Sequence, residues 1–463
     1  MRLYNTLTRS TEQLKPLSGK TVKLYTCGLT VYSQPHIGNW LGYVYWDILV
    51  RTLQAEGYTV ERTQNITDVG HLTSDDDSGE DKMEKGARRE GLTAWDVAAK
   101  YIDIADHEAH QLGLLSPTHL VRATDTIAQQ IAFAQLLDDK GYLYSIDADG
   151  MYFDTSKLPE YGRLARLDID GLEAGARVSV AGKRNITDFA VWKFSPEGQR
   201  RDMEWNSPWG VGFPGWHLEC SVIARETLGD QIDIHTGGID HIPVHHINEI
   251  AQTEAVTGKP FSQFWVHNNH LKADSQKMSK SLGNIYTLQN ITDKGFDLDD
   301  FRMFALGKHY RTEGNFTWDN LEAAANRLRH WQEAADLFHQ VASLRSCDDA
   351  GAKQFRQELT AILANDLDTV RALQLVDETL DAVLATHSSA ECFGCVLQDI
   401  ADLLGIDLKK SDISEQQKST IVQREQARTD KDWTRSDRLR DQLLEQGIGL
   451  RDTPNGTANW YRL

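Results

Sequence analysis

The segment Thr26-Cys27-Gly28-Leu29-Thr30-Val31-Tyr32-Ser33-Gln34-Pro35-His36-Ile37-Gly38-Asn39 joins an apolar, strand-like run (Val22 to Thr26) to a helix-like stretch rich in Tyr and Trp. Strand, tight Gly/Pro turn, then helix is the geometry that aims free backbone N–H groups at a phosphate. Cys27 falls where the strand ends and His36 where the helix begins. One loop therefore presents a thiol suited to a metal and an imidazole suited to a phosphate, and distant residues must complete both sites.

Outward from this segment, residues 1 to about 120 alternate short apolar strands with longer helical patterns, the sign of an α/β unit with a parallel sheet. Val22–Tyr25 and Tyr58–Asn65 read as strands with a helix between them. The acidic run at 74–81 reads as a surface loop. From 121 to 200 the pattern loosens into a helix and short strands, as expected of an insertion into the sheet domain. The sheet domain resumes over 201–262, with a strand at Gln231–His235, and a further strand, Phe264–His267, opens the region 263–318. Beyond 319 the period changes: Leu321, Ala324, Leu328, Trp331, Ala335 and Phe338 mark one amphipathic helix. Further runs at Phe355–Leu363 and from Leu373 make 319–408 a helical bundle. A polar link from Lys409 to Gln417 then leads into a small C-terminal domain, 409–463.

Composition bounds the function. A chain of 463 residues, 40% hydrophobic and 25% charged, is an ordinary globular protein of several compact units. No apolar run approaches the roughly 20 residues that span a bilayer, and the N-terminus lacks a signal-peptide core, so a cytoplasmic protein is expected. Five unevenly spaced cysteines do not make a disulfide framework. The net charge of −19 argues against indiscriminate nucleic-acid binding. From Lys409 onward, however, eleven Lys/Arg face nine Asp/Glu, so the tail is basic against an acidic body.

His245 and Glu249 are four apart, a spacing that puts both on one face of a helix; His246 would then point about 100° away. With Cys27 and with Cys220, which follows Trp216 after a Pro/Gly-rich approach, they make two thiols, an imidazole and a carboxylate. That set suits Zn²⁺, although each residue alone also reads as an ordinary core or helix-face side chain. The single pair Cys392/Cys395 lacks a second pair and reads as packing within the bundle.

Lys277-Met278-Ser279-Lys280-Ser281 follows the Phe264–His267 strand and precedes Leu282-Gly283. Two lysines among small hydroxyl residues suit a mobile loop that closes on phosphates, where the bland reading is a solvated Lys/Ser loop. Paired with His36-Ile37-Gly38-Asn39, and with no competing GxxxxGK[ST] or GxGxxG string, it points to ATP bound at the carboxyl ends of a parallel sheet.

These residues resemble the class I aminoacyl-tRNA synthetases, which carry a HIGH signature and a KMSKS loop, and within that class the cysteine-specific family. The resemblance implies a Rossmann-like catalytic domain with an insertion, a stem-contact region at 263–318, a tRNA-binding helical bundle and an anticodon-binding end. It places one zinc on Cys27, Cys220, His245 and Glu249, and amino-acid contacts on Gly28, Thr67, Trp216 and Asp240. ATP contacts fall on His36, Gly38, Asn39, Lys277, Met278, Ser279, Lys280 and Ser281, with His36, Asn39, Lys277 and Lys280 as the catalytic groups. Departures from the family pattern occur at Leu29, Ser33, His241–Val244 and Ile247, leaving the four ligands in place.

The implied reaction is two-step: L-cysteine and ATP·Mg²⁺ give an adenylate, and tRNA(Cys) takes the acyl group, with a monomer expected. Serine is nearly isosteric with cysteine, and pocket shape alone separates such pairs by only about 10- to 200-fold; a soft-ligand metal supplies the missing discrimination. The alternatives are a ligase that joins activated cysteine to an amino-sugar amine and a non-catalytic homologue; the basic tail and the two intact signatures argue against them.

Overall fold

The computed structural model describes residues 1–70, 81–167, 182–196, 198, 201–278, 282–345, 353–389, 392–453 and 457–463. The acidic loop of the sequence reading thus lies outside the described residues except for Asp81, as do Ser279, Lys280 and Ser281. Two compact units emerge. One comprises Met1–Lys272, Lys277–Leu288 and Tyr310–Gly314; the other comprises Ala273–Gln276, Gln289–His309 and Asn315–Leu463.

The first unit is built on five parallel strands: β1 (Thr21–Thr26), β2 (Thr59–Ile66), β3 (His119–Arg122), β4 (Ile232–Gly238) and β5 (Ser262–Asn268). Their spatial order is β5-β4-β1-β2-β3, every neighbouring pair parallel. The chain winds outward from β1 in one direction, then returns to wind the other way from β4. The crevice beyond the carboxyl ends of β1 and β4 is therefore the topological switch point, where open α/β sheets bind ligands.

Helix α1 (Ile37–Ala55) links β1 to β2 and buries Trp40, Leu41, Val44, Tyr45 and Ile48. Two helices, Lys82–Glu90 and Ala94–Gln111, fill the crossover from β2 to β3. Between β3 and β4 the chain inserts the helix Ile127–Asp139 and an antiparallel five-stranded sheet, whose last two strands, Trp205–Ser207 and Gly210–Pro214, lie past residue 200. Helix α2 (Trp216–Leu228) and, after β4, helix α3 (Ile247–Thr257) then pack beside the switch point. There Tyr25, Ile223, Ala224, Ile247, Phe261 and Trp265 form an apolar cluster that also takes in the sulfur-bearing Cys27 and Cys220.

In the second unit the expected amphipathic helix is Trp318–Gln340. Leu321, Trp331 and Ala335 are buried as the periodicity indicates, but the helix buries Ala325 in place of Ala324. Helices Gln354–Leu363, Thr369–Thr386 and Phe393–Leu404 follow. The CxxC pair stands at the start of the last of these, Cys392 buried and the Cys395 thiol 2.8 Å from its sulfur. No third His, Cys, Asp or Glu gathers there among the described residues to make a metal site. Helices Glu415–Thr429 and Trp433–Glu445 and the hairpin Ile448–Asp452/Ala458–Arg462 complete the chain around Ile413, Ile421, Leu443, Ile448 and Trp460.

Candidate active site

The loop after β1 is fixed from both flanking strands. Cys27 donates its backbone N–H to Thr236 of β4 (3.2 Å), and the Gly28 N–H bonds Asn65 Oδ1 of β2 (2.7 Å). A Cβ on Gly28 would collide with the Asn65 carbonyl oxygen, so only glycine fits there. Thr67 exchanges backbone hydrogen bonds with this loop, its N–H to Leu29 O (3.0 Å) and its carbonyl accepting from Val31 N (3.1 Å). Its hydroxyl takes a bond from the Asn65 amide (3.0 Å). Gly28 and Thr67 are thus held side by side just past the ends of β1 and β2.

Cys27 from the loop after β1, Cys220 from α2, His245 from the turn that leads into α3, and Glu249 from the start of α3 converge. One donor atom from each lies within 4.8 Å of the others, and all four residues are buried. A second, overlapping quartet replaces Cys220 and His245 with His235 and His246. This corrects the expectation that His246 points away. Residues Ile242–His246 form a π-helical turn, wider than the 3.6-residue period assumed for the sequence, and it swings the ring inward to 3.3 Å from Cys27 Sγ.

The chemistry of the two sets differs. Glu249 Oε2 lies 2.9 Å from His235 Nε2, whereas its Oε1 is buried without a hydrogen-bond donor and faces His245 at 3.0 Å. His246 is pinned on its far side by His267 (2.8 Å), which is held in turn by Thr6 (2.7 Å). His235 and His246 therefore orient the carboxylate and the Cys27 thiol, and the pair of sulfurs with His245 and the free Oε1 makes the softer, zinc-suited set. Burial pushes the Cys27 thiol up, and the neighbouring Cys220 adds to this. Burial also opposes charge on Cys220, yet its hydrogen bond to Cys27 and the nearby His245 bring it down to about 7. Against the same burial, Glu249 is held down to about 2 by His235 and His245, and His245 is raised to about 10 by Glu249 and Cys220. The cluster thus holds a carboxylate, an imidazolium and a thiol that ionises near neutrality, a site whose protons a cation would displace.

Trp216, half-buried, stacks on the His245 ring with centroids 4.2 Å apart. Asp240 stands exposed at the crevice edge, 4.0 Å from His241 Nε2.

On the helix side of the loop, His36 is the N-cap of α1. Its Nδ1 accepts from the Asn39 N–H (3.2 Å), and Asn39 Oδ1 accepts from the His36 N–H (3.0 Å). The reciprocal box fixes the imidazole tautomer: with Nδ1 accepting, the ring proton sits on Nε2 and faces outward as a donor. Burial holds the ring below the usual histidine range and so neutral at pH 7. The turn is held from behind by Glu108, which accepts from the Gln34 amide (3.0 Å) and the Trp40 indole (2.6 Å). The second signature meets the first at Gly38, where an added Cβ would come 2.5 Å from Met278 Cε. Ile37 N–H bonds Tyr286 O (2.9 Å), and the Asn284 amide bonds Lys277 O (3.3 Å), so the segment flanking the KMSKS string is tied to the helix cap. Lys277 itself is exposed.

Comparison with known proteins agrees with this geometry. Residues 13–326 match the family model for the class I (C) tRNA synthetase catalytic domain, and residues 410–462 match that for the cysteinyl-tRNA ligase anticodon-binding domain. A cysteine–tRNA ligase of Burkholderia lata is 44% identical, covering 98% of this chain and 96% of the relative. The Treponema denticola cysteine–tRNA ligase is 36% identical with full coverage of both. The chain belongs to the cysteine–tRNA ligase family. As a member of it, the protein is an ATP-dependent ligase of the class I aminoacyl-tRNA synthetases. The fold is shared more widely: a methionyl-tRNA synthetase of Mycobacterium tuberculosis, in complex with methionyl-adenylate, superposes with a TM-score of 0.61 at 14% identity, over 84% of this chain and 92% of that one. No helix among the described residues of this ligase is long and apolar enough to cross a membrane.

Sequence reasoning missed His235, His246 and His267 in this ligase. His235 lies on the inner strand β4 and His267 on the edge strand β5, where an alternating pattern shows burial but not partners. His246 needed knowledge of the π turn.

Proposed function

We propose that the protein attaches L-cysteine to tRNA(Cys) in two steps, with Cys27, Cys220, His245 and Glu249 holding one zinc ion. The observation that supports it most is the convergence of these four donors on the loop that also carries the His36 cap. A zinc ion held there would supply a borderline-soft Lewis acid that prefers a thiolate to the hydroxyl of serine. The remaining work belongs to the chain. Gly28 and Thr67 seat the ammonium and backbone of the amino acid, while Trp216 and Asp240 bound the crevice. In the first step a cysteine carboxylate oxygen attacks the α-phosphorus of ATP·Mg²⁺ and the bond to pyrophosphate breaks. His36 Nε2–H, the Asn39 side chain and the Gly38 N–H at the start of α1 stabilise the charge that shifts onto the phosphates. Lys277 and Lys280, with Met278, Ser279 and Ser281, cover the departing pyrophosphate. In the second step a terminal ribose hydroxyl of the tRNA attacks the activated carbonyl, and AMP leaves. Neither step needs a strong base, because positioning and electrostatics carry such transfers.

Residues 319–408 and 409–463 are assigned to tRNA, the last of these to the anticodon, and the protein is taken to be a cytoplasmic monomer. The reading is tested by pyrophosphate exchange with cysteine and with serine, alongside metal content. Zinc-loaded protein should exchange with cysteine only, and a metal-free Cys220→Ser protein should exchange with neither. Full cysteine exchange by that variant would refute the metal's role.

A further inference from the structure

Behind the cysteine-bearing loop, between β2 and the helix Ala94–Gln111, lies a cavity of about 420 Å³ that the reaction does not use. Its walls mix polar side chains with apolar ones, Leu29, Val31, Ile66, Ile102 and Leu115 among the latter, and its volume falls in the range of small-molecule sites. Arg62 also lines it. That side chain is 7% exposed, yet its only side-chain hydrogen bond among the described residues is from Nη2 to Leu115 O (2.9 Å), and its buried Nε has no partner. The nearby Asp47 favours its charged form without hydrogen-bonding the guanidinium, since that carboxylate bonds Arg51 (2.7 Å) and the Leu115 N–H (2.8 Å). A largely buried guanidinium with one hydrogen bond and an unpartnered Nε gains from an anion that adds to what Asp47 supplies.

We propose that this cavity binds a small amphiphilic carboxylate, its two oxygens on the Arg62 fork and its apolar body against the walls. The planar donor fork matches a carboxylate in geometry. Around the lining the exposed Asp103, Asp106 and Asp125 outnumber the exposed Arg122, which disfavours a multiply charged phosphate. The site is coupled to the reaction centre: Tyr43 lines the cavity and donates its hydroxyl to the Cys27 carbonyl (3.1 Å), while Leu29 and Val31 belong to the cysteine-bearing loop itself. An occupant therefore bears on the position of Cys27 from the face opposite the substrate.

The test uses the full chain and two probes, naphthalene-2-acetate and the uncharged 2-(2-naphthyl)ethanol, titrated by calorimetry and saturation-transfer NMR. The acid should bind about tenfold or more tighter than the alcohol, Arg62→Met should abolish that difference, and saturating cysteine plus ATP should not displace the acid. Equal binding of the two probes, no binding of the acid, an unchanged preference in Arg62→Met, or displacement by the substrates would each overturn the proposal. Should Arg62→Met fail to fold, Ala109→Phe, which fills the cavity from the helix, is expected to eliminate acid binding; retained binding by that variant counts against the site.

Discussion

At the scale of single residues, the candidate metal site separates groups that would hold the ion from groups that aim them. Glu249→Gln removes a buried charge that His245 and His235 both face, and it should lower zinc content and cysteine-dependent exchange together, by about 100-fold or more. His235→Asn, which only loosens the orientation of Glu249, should cost about 10- to 100-fold in zinc affinity; competition with a chromogenic chelator measures both. Proton competition has a definite sign here. Cys220 titrates near 7 and His245 near 10 in the metal-free protein, and both must lose a proton to become ligands, so zinc affinity should fall steadily as the pH is lowered from 8 to 6. An affinity that is flat over that range would contradict the assignment of these two residues. Gly38 is the other informative position. Gly38→Ala should raise the KM for ATP by pushing against both Met278 and the His36 ring, whose Nδ1 would lie 3.0 Å from the added Cβ, and adding Met278→Ala should restore only part of the loss, because the cap box holds the ring in place.

At the scale of elements, the cap of α1 carries its own pH signature. His36 is held below the unfolded value of about 6.5 by burial. The unfolded chain therefore binds the proton more readily, and the contribution of this residue to stability is present above that pH and shrinks as the pH falls toward 5. Urea unfolding of His36→Asn, which can still cap, should show a weaker loss between pH 7 and 5 than the parent protein. The same element shows what the sequence could reveal. A strand, a Gly/Pro turn and a helix follow from local pattern, so β1, α1 and the place of His36 were legible, and the two cysteines with His245 and Glu249 could be grouped by ligand chemistry alone. The inward turn of His246 was not, because a π turn differs from an α turn by one residue per hydrogen bond and leaves no apolar period to read. Nor was the idle Arg62 guanidinium: an Arg in an alternating strand looks like any solvent-facing charge until helix Ala94–Gln111 is seen to cover it. The strand reading Tyr58–Asn65 came within one residue of the observed Thr59–Ile66, since β-branched residues and the preceding Gly57 mark it.

At the scale of the molecule, the C-terminal hairpin is part of the second unit's packing. Gln340 of the helix Trp318–Gln340 exchanges bonds with both backbone groups of Trp460 (2.9 Å each), and Arg462 pairs with the buried Asp336. Cutting the chain at Lys409 should therefore lower the melting temperature of the second unit, by leaving Asp336 without its cation, as well as impair charging. A point substitution separates the two effects. Trp433 is 59% exposed at the start of its helix, as a platform for a nucleic-acid base would be, and Trp433→Ala should reduce kcat/KM for tRNA charging by about tenfold or more while leaving pyrophosphate exchange unchanged. In the first unit, Glu108 draws the Gln34 amide and the Trp40 indole onto one carboxylate, one ahead of the HIGN turn and the other behind it. The turn is thus held by a residue of a separate helix, Ala94–Gln111. Slack introduced there would surface as a nucleotide affinity that worsens with warming, long before the sheet itself gives way.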